Sequence, residues 1–87
     1  MSGWENELLP PSHWDDAMVS GWMVTVMPVF SWKYVLSFRN MGIDGKMLLT
    51  LTEEDLVGLG IQPKLHLKRF AAEIDILRRR DRKLIAS

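Results

Sequence analysis

Apolar side chains recur along the 87-residue chain at the spacing of helix faces. Met18, Val19, Trp22 and Met23 fall at i, i+1, i+4 and i+5, which is one side of a helix. Asp15 is a good N-cap for it, and Asp16 is favourably placed in the first turn. The run Val26-Met27-Pro28-Val29-Phe30 ends this helix. Ser31 is then expected to cap a second helix, from about Trp32 to Asn40, with Tyr34, Val35, Phe38 and Met41 as its buried stripe. Gly42 suits the left-handed residue that closes such a helix. Asp44-Gly45 opens a short turn carrying Met47, Leu48 and Leu49. The segment Thr52-Glu53-Glu54-Asp55 has the S/T-x-x-D/E form of a capped helix start. Leu56, Leu59 and Ile61 are the apolar positions there, and Gly58 and Gly60 keep the element short. Pro63 suits the first position of a last helix. From there Leu67, Phe70, Ala71, Ile74 and Leu77 repeat at helical spacing. Continued to Leu84 and Ile85, that helix would have roughly 22 residues and a length of about 33 Å. No segment alternates with a period of two and none repeats another, so the pattern predicts an all-α, five-helix bundle with a long C-terminal helix.

Residues 1–11 read as a tail, polar and with Pro10-Pro11 discouraging helix at Leu9. Trp4, Leu8 and Leu9 are apolar enough to pack on the body, which is expected to span 12–87. The composition allows one core: 47% of the residues are hydrophobic, among them four Trp and three Phe. A chain this short carries one domain. With no Cys, disulfides, cysteine zinc sites and a thiol nucleophile are excluded. Glu5 and Glu7, without a basic stretch, do not make a signal peptide. The longest uncharged run, between Asp16 and Lys33, holds sixteen residues and Pro28, whereas a membrane span needs about 20. The expectation is buried core and a cytoplasmic location.

Charge changes this picture. Residues 1–60 hold three bases and eight acids, net −5, and residues 61–87 hold eight bases and three acids, net +5. An acidic body and a basic C-terminal part attract each other between molecules.

The residues themselves carry a resemblance. Trp14-Asp15-Asp16, Val19 and Trp22-Met23 resemble the W-x4-V-x2-W-L opening of sterile alpha motif domains. Tyr34 and Phe38 resemble the family's Y-x3-F. The block from Ile43 to Ile61, Ile-Asp-Gly-Lys-Met-Leu-Leu-Thr-Leu-Thr-Glu-Glu-Asp-Leu-Val-Gly-Leu-Gly-Ile, is similar to I-D-G-x2-L-L-x-L-T-E-E-D-L-x2-L-G-I nearly throughout. His66, Lys68, Arg69, Ile74 and Leu77 resemble its last helix. The likeness covers about residues 14–77. It departs in one place: Tyr34 lies twelve residues after Trp22, where the family usually has about nine. The extra residues fall in Val26–Ser31, a connection that is longer in some scaffold-type members.

The resemblance implies a protein-binding module, because these domains mostly bind one another; a minority bind RNA, and some bind unrelated proteins or lipid. An end-helix surface would lie at the start of the last helix, with Lys64, Leu65, Lys68 and Arg69. A mid-loop surface would draw on Asp44, Glu53, Glu54 and Asp55. Head-to-tail contact between the two is heterologous and builds dimers or open polymers. The expected partner is another such domain, in the same or a different protein of a signalling or scaffold type. Capping alone also accounts for Asp55, and favourable charge at a helix start for Glu53 and Glu54. The competing reading is RNA or anionic-membrane binding through Arg78, Arg79, Arg80, Arg82 and Lys83. Bases there also answer the negative end of a long helix. No catalytic constellation accompanies His13 or His66, Gly58-Leu59-Gly60 is not a phosphate loop, and the Met residues read as core fillers. The chain is therefore expected not to be an enzyme and to need neither metal nor cofactor.

Overall fold

A computed structural model describes residues 9–86. Among them are a 3-10 turn, Pro11–His13, and five α-helices: α1 (Asp16–Val26), α2 (Ser31–Asn40), α3 (Gly45–Leu48), α4 (Glu53–Gly58) and α5 (Lys64–Ala86). No strand occurs among the described residues. The all-helical architecture with a long last helix is the one that the apolar spacing predicts.

The caps form where short polar side chains precede the apolar runs. Asp15 accepts from the Met18 amide at 2.8 Å and Asp44 from the Met47 amide at 2.9 Å. Thr52 and Asp55 complete a reciprocal capping box, satisfying two amides that a helix start leaves unpaired. Gly42 closes α2 at φ 64°, a conformation that costs glycine nothing.

Three details differ from the spacing-based expectations. Ser31 is the first residue of α2, with Phe30 at the N-cap and no side-chain cap bond. The amides of Phe30 and Ser31 both donate to the Met27 carbonyl, so the junction winds straight into the helix. Met41 is not in the buried stripe but is 62% exposed, because it lies past the last turn of α2, where helical spacing no longer sets its direction. Helix α5 starts at Lys64 instead of Pro63, and the Pro63 carbonyl takes the His66 and Leu67 amides. It runs for 23 residues.

The core is one cluster: Trp14, Val19, Trp22, Met23 and Met27 meet Tyr34, Phe38, Ile43, Leu48, Leu56, Leu59, Ile61, Phe70, Ile74 and Leu77. Phe70 sits at its centre, 5.5–6.0 Å from the rings of Trp22, Tyr34 and Phe38. Trp32 projects outward. Trp4 and Leu8 lie outside the described residues.

The N-terminal turn is clasped between α3 and α5. Pro11 is buried, Gly45 donates to the Trp14 carbonyl at 2.9 Å, and the Ser12 amide donates to Asp81 at 2.8 Å. Arg78 ties α5 to the α3–α4 loop, its Nε donating to the Leu49 carbonyl at 2.8 Å and Nη2 to the Leu51 carbonyl at 2.7 Å. Arg78→Leu strips charged donors from two carbonyls and is expected to cost about 1–2 kcal/mol. Urea unfolding measures this; a change under about 0.5 kcal/mol would show that water replaces the guanidinium without loss.

Candidate binding surfaces

Two surfaces follow from how the helix ends are held. The first is the start of α5. Ile61 is buried and the Pro63 carbonyl receives the first-turn amides, which fixes where the helix begins. Lys64, Leu65, Lys68 and Arg69 are all exposed there, and Leu65 is 75% exposed. The positive end of the helix dipole adds to their charge. Arg69 is partly answered by Glu73 within the same helix, at 3.2 Å, an exposed pair of small energetic weight.

Beneath these side chains lies a polar anchor. The Tyr34 hydroxyl donates to the Gln62 carbonyl at 2.5 Å and contacts His66 Nδ1 at 2.7 Å. With the hydroxyl hydrogen on Gln62, Nδ1 of His66 is the donor to Tyr34. The Phe30 ring packs against His66 at a tilt of 46°, with centroids 4.4 Å apart. His66 thus has a packing role, joining the start of α2 to the start of α5. Its position in the sequence gave no sign of Phe30 as the partner.

The second surface is a groove of about 660 Å³ between the end of α2, α3 and α4. Met41, Met47, Leu51 and Leu59 give it apolar walls, and Glu54 and Asp55 stand at its acidic side. Of the four expected acidic residues, the structure brings only these two to the groove. Asp44 caps α3, and Glu53 lines a smaller hollow beside Arg78. Capping occupies Asp55 as well. Met41 and Met47 are groove residues that a core reading of the methionines misses. Met41 and Gly42 at the helix stop were the available signal, since a large apolar residue at a terminated helix has no fixed inward direction.

The five C-terminal bases do not form one free patch. Arg78 is bonded to the loop carbonyls, and the Arg80 guanidinium lies 5.8 Å from the Trp14 ring centroid. Arg79, Arg82 and Lys83 are exposed. No group of three or more His, Cys, Asp or Glu side chains among the described residues is placed to hold a metal ion. No described helix is long and apolar enough to cross a membrane.

A family model described as SAM domain (Sterile alpha motif) matches residues 12–78. Kazrin of Homo sapiens and kazrin of Mus musculus are each 36% identical to this chain over 67 residues. The same figures hold for kazrin of Rattus norvegicus. The match covers 76% of this chain but only 8% of each relative. No solved structure gives a significant match.

Proposed function

This chain belongs to the sterile alpha motif family, and we propose that it is an assembly module in which the start of α5 of one domain docks on the α2–α4 groove of another. The domains of this family mostly bind proteins, so protein binding is the common ground. The finer reading rests on one observation, the match between the cationic, apolar start of α5 and a groove that is apolar and acidic-edged. Leu65 supplies the anchor, filling the groove between Met41 and Met47. Lys64, Lys68 and Arg69 meet Glu54 and Asp55, and Asp44 and Glu53 add steering charge around them. Because the two surfaces differ and each copy carries both, the contact is heterologous and propagates. The partner is another domain of this family, in a second copy or in a different protein. The chain acts as a non-enzymatic scaffold piece in the cytoplasm.

The reading through the basic end of α5 is weaker, since two of its five bases are turned to the body. Charge reversal separates the two. Lys68→Glu with Arg69→Glu is expected to weaken association about fivefold or more at low salt, with little change in the thermal midpoint. Sedimentation across a concentration series reads it. Unchanged affinity would refute the docking surface, and loss confined to variants of Arg79, Arg82 and Lys83 would move the site to the basic end.

A further inference from the structure

We propose that the long α1–α2 junction is a second half of the end-helix surface, with Val29, Phe30 and Lys33 contacting the acidic-edged groove of a second copy of this chain. The proposal rests on the α5-to-groove reading and adds to it a residue set that selects the partner.

The added length of the chain between Trp22 and Tyr34 falls at this junction, and the fold does not leave it loose. Phe30 packs against His66 with ring centroids 4.4 Å apart, and Tyr34 links His66 and the Gln62 carbonyl. The Lys33 ammonium lies 5.9 Å from the Tyr34 ring centroid. The Phe30 and Tyr34 contacts reach Gln62 and His66, at the start of α5 and on either side of Leu65 in sequence, and Lys33 lies over the same Tyr34 ring. The junction is therefore held against the surface that α5 presents.

Exposure and charge give the chemistry. Val29 is 69% exposed and Phe30 40%, and Leu65, next in sequence to the His66 that Phe30 touches, is 75% exposed. Exposed apolar side chains such as these stabilise an assembly when they are covered. Residues 27–33 contain one charged residue, Lys33, and no acid. The acid nearest the bases, Glu73, is already bonded to Arg69. The combined surface is apolar and cationic, so like charges disfavour pairing it with itself across a two-fold axis. Its complement in this domain is the groove of Met41, Met47, Leu51 and Leu59 edged by Glu54 and Asp55. An apolar anchor on each of two elements also fixes the rotation of one domain on the next, which a single Leu65 contact does not.

The test pairs Val29→Asp with Lys33→Glu, both exposed positions away from the core. Self-association is followed by sedimentation beside the Lys68→Glu/Arg69→Glu variant, with thermal melts as a folding check. The junction variant is expected to weaken self-association about fivefold or more at an unchanged melting midpoint. Its own groove should still bind a Met41→Lys/Glu54→Lys variant, whose α5 surface is intact, as tightly as the natural groove does. If the junction variant associates normally while the Lys68/Arg69 variant is weakened, the junction is not part of the surface and the α5-to-groove reading stands. If neither variant is weakened, that reading falls as well. A natural chain that stays monomeric throughout, or that binds only a different protein, overturns the second-copy assignment.

Discussion

Phe70→Ala is expected to lower the free energy of unfolding by about 3–5 kcal/mol. The Phe70 side chain is 0% exposed, and three rings from two other helices surround it. Trp22 and Tyr34 present edges at 6.0 and 5.5 Å, and Phe38 stacks at 6.0 Å. Truncation removes the transfer free energy of the ring and leaves a cavity that rigid aromatic neighbours do not collapse into. Three ring pairs are lost with it, each worth about 0.5–1.5 kcal/mol beyond area alone. Domains have roughly 5–15 kcal/mol in total, and one of 87 residues sits toward the low end. The variant is therefore expected to be partly unfolded at physiological temperature. Binding would fall with it, because Tyr34, which packs on Phe70, also holds the start of α5. Urea unfolding checks the value, and a loss below about 1 kcal/mol would contradict the central place of Phe70.

Gly45→Ala is expected to cost about 3 kcal/mol, the upper part of the range for overpacking. A Cβ at Gly45 would stand 1.8 Å from the Pro11 carbonyl oxygen and 2.9 Å from Trp14 Cβ. The first neighbour is backbone, so no rotamer change relieves the overlap and the N-terminal turn must move. That movement strains the Gly45–Trp14 hydrogen bond and the Ser12–Asp81 contact together. Helix propensity acts the other way, favouring Ala by about 0.5–1 kcal/mol, and the steric term exceeds it. Amide exchange at Gly45 and Ser12 should accelerate more than in α4, since the opening is local. An alanine variant that melts like the natural chain would show that the turn is not clasped.

Much of this was legible because it depends on local rules. Asp15 and Thr52–Asp55 announce their caps by residue type, and Asp44-Gly45 announces the start of a short turn. Trp22, Phe38, Leu48, Leu56, Phe70 and Ile74 announce the core by spacing. The misreadings fall where local rules stop. Met41 follows the last turn of α2, so periodicity assigned it inward although nothing there fixes its direction. Ser31 has the chemistry of a cap, but the backbone turn at 27–30 already supplies the helix start. The five bases within 78–83 look alike in sequence, yet Arg78 reaches loop carbonyls 27 and 29 residues away. Such distant partners are set by tertiary packing and leave no mark in the local pattern. The acidic quartet divides for the same reason: all four residues lie near one another in sequence, but only Glu54 and Asp55 line the groove.

Assembly as proposed requires that two different surfaces of this domain bind each other. It is tested most directly by mixing two variants, each blocked on one side. Lys68→Glu/Arg69→Glu keeps a natural groove, and Met41→Lys/Glu54→Lys keeps a natural α5 surface. At a concentration where the natural chain associates but a contact weakened about fivefold or more is mostly open, each alone should be largely monomeric. Sedimentation of an equimolar mixture should then give a complex of twice the monomer mass that grows no further, since one intact pair joins the two molecules and both remaining surfaces are blocked. A mixture that stays monomeric, while both variants melt as folded domains and the natural chain associates, would contradict the account.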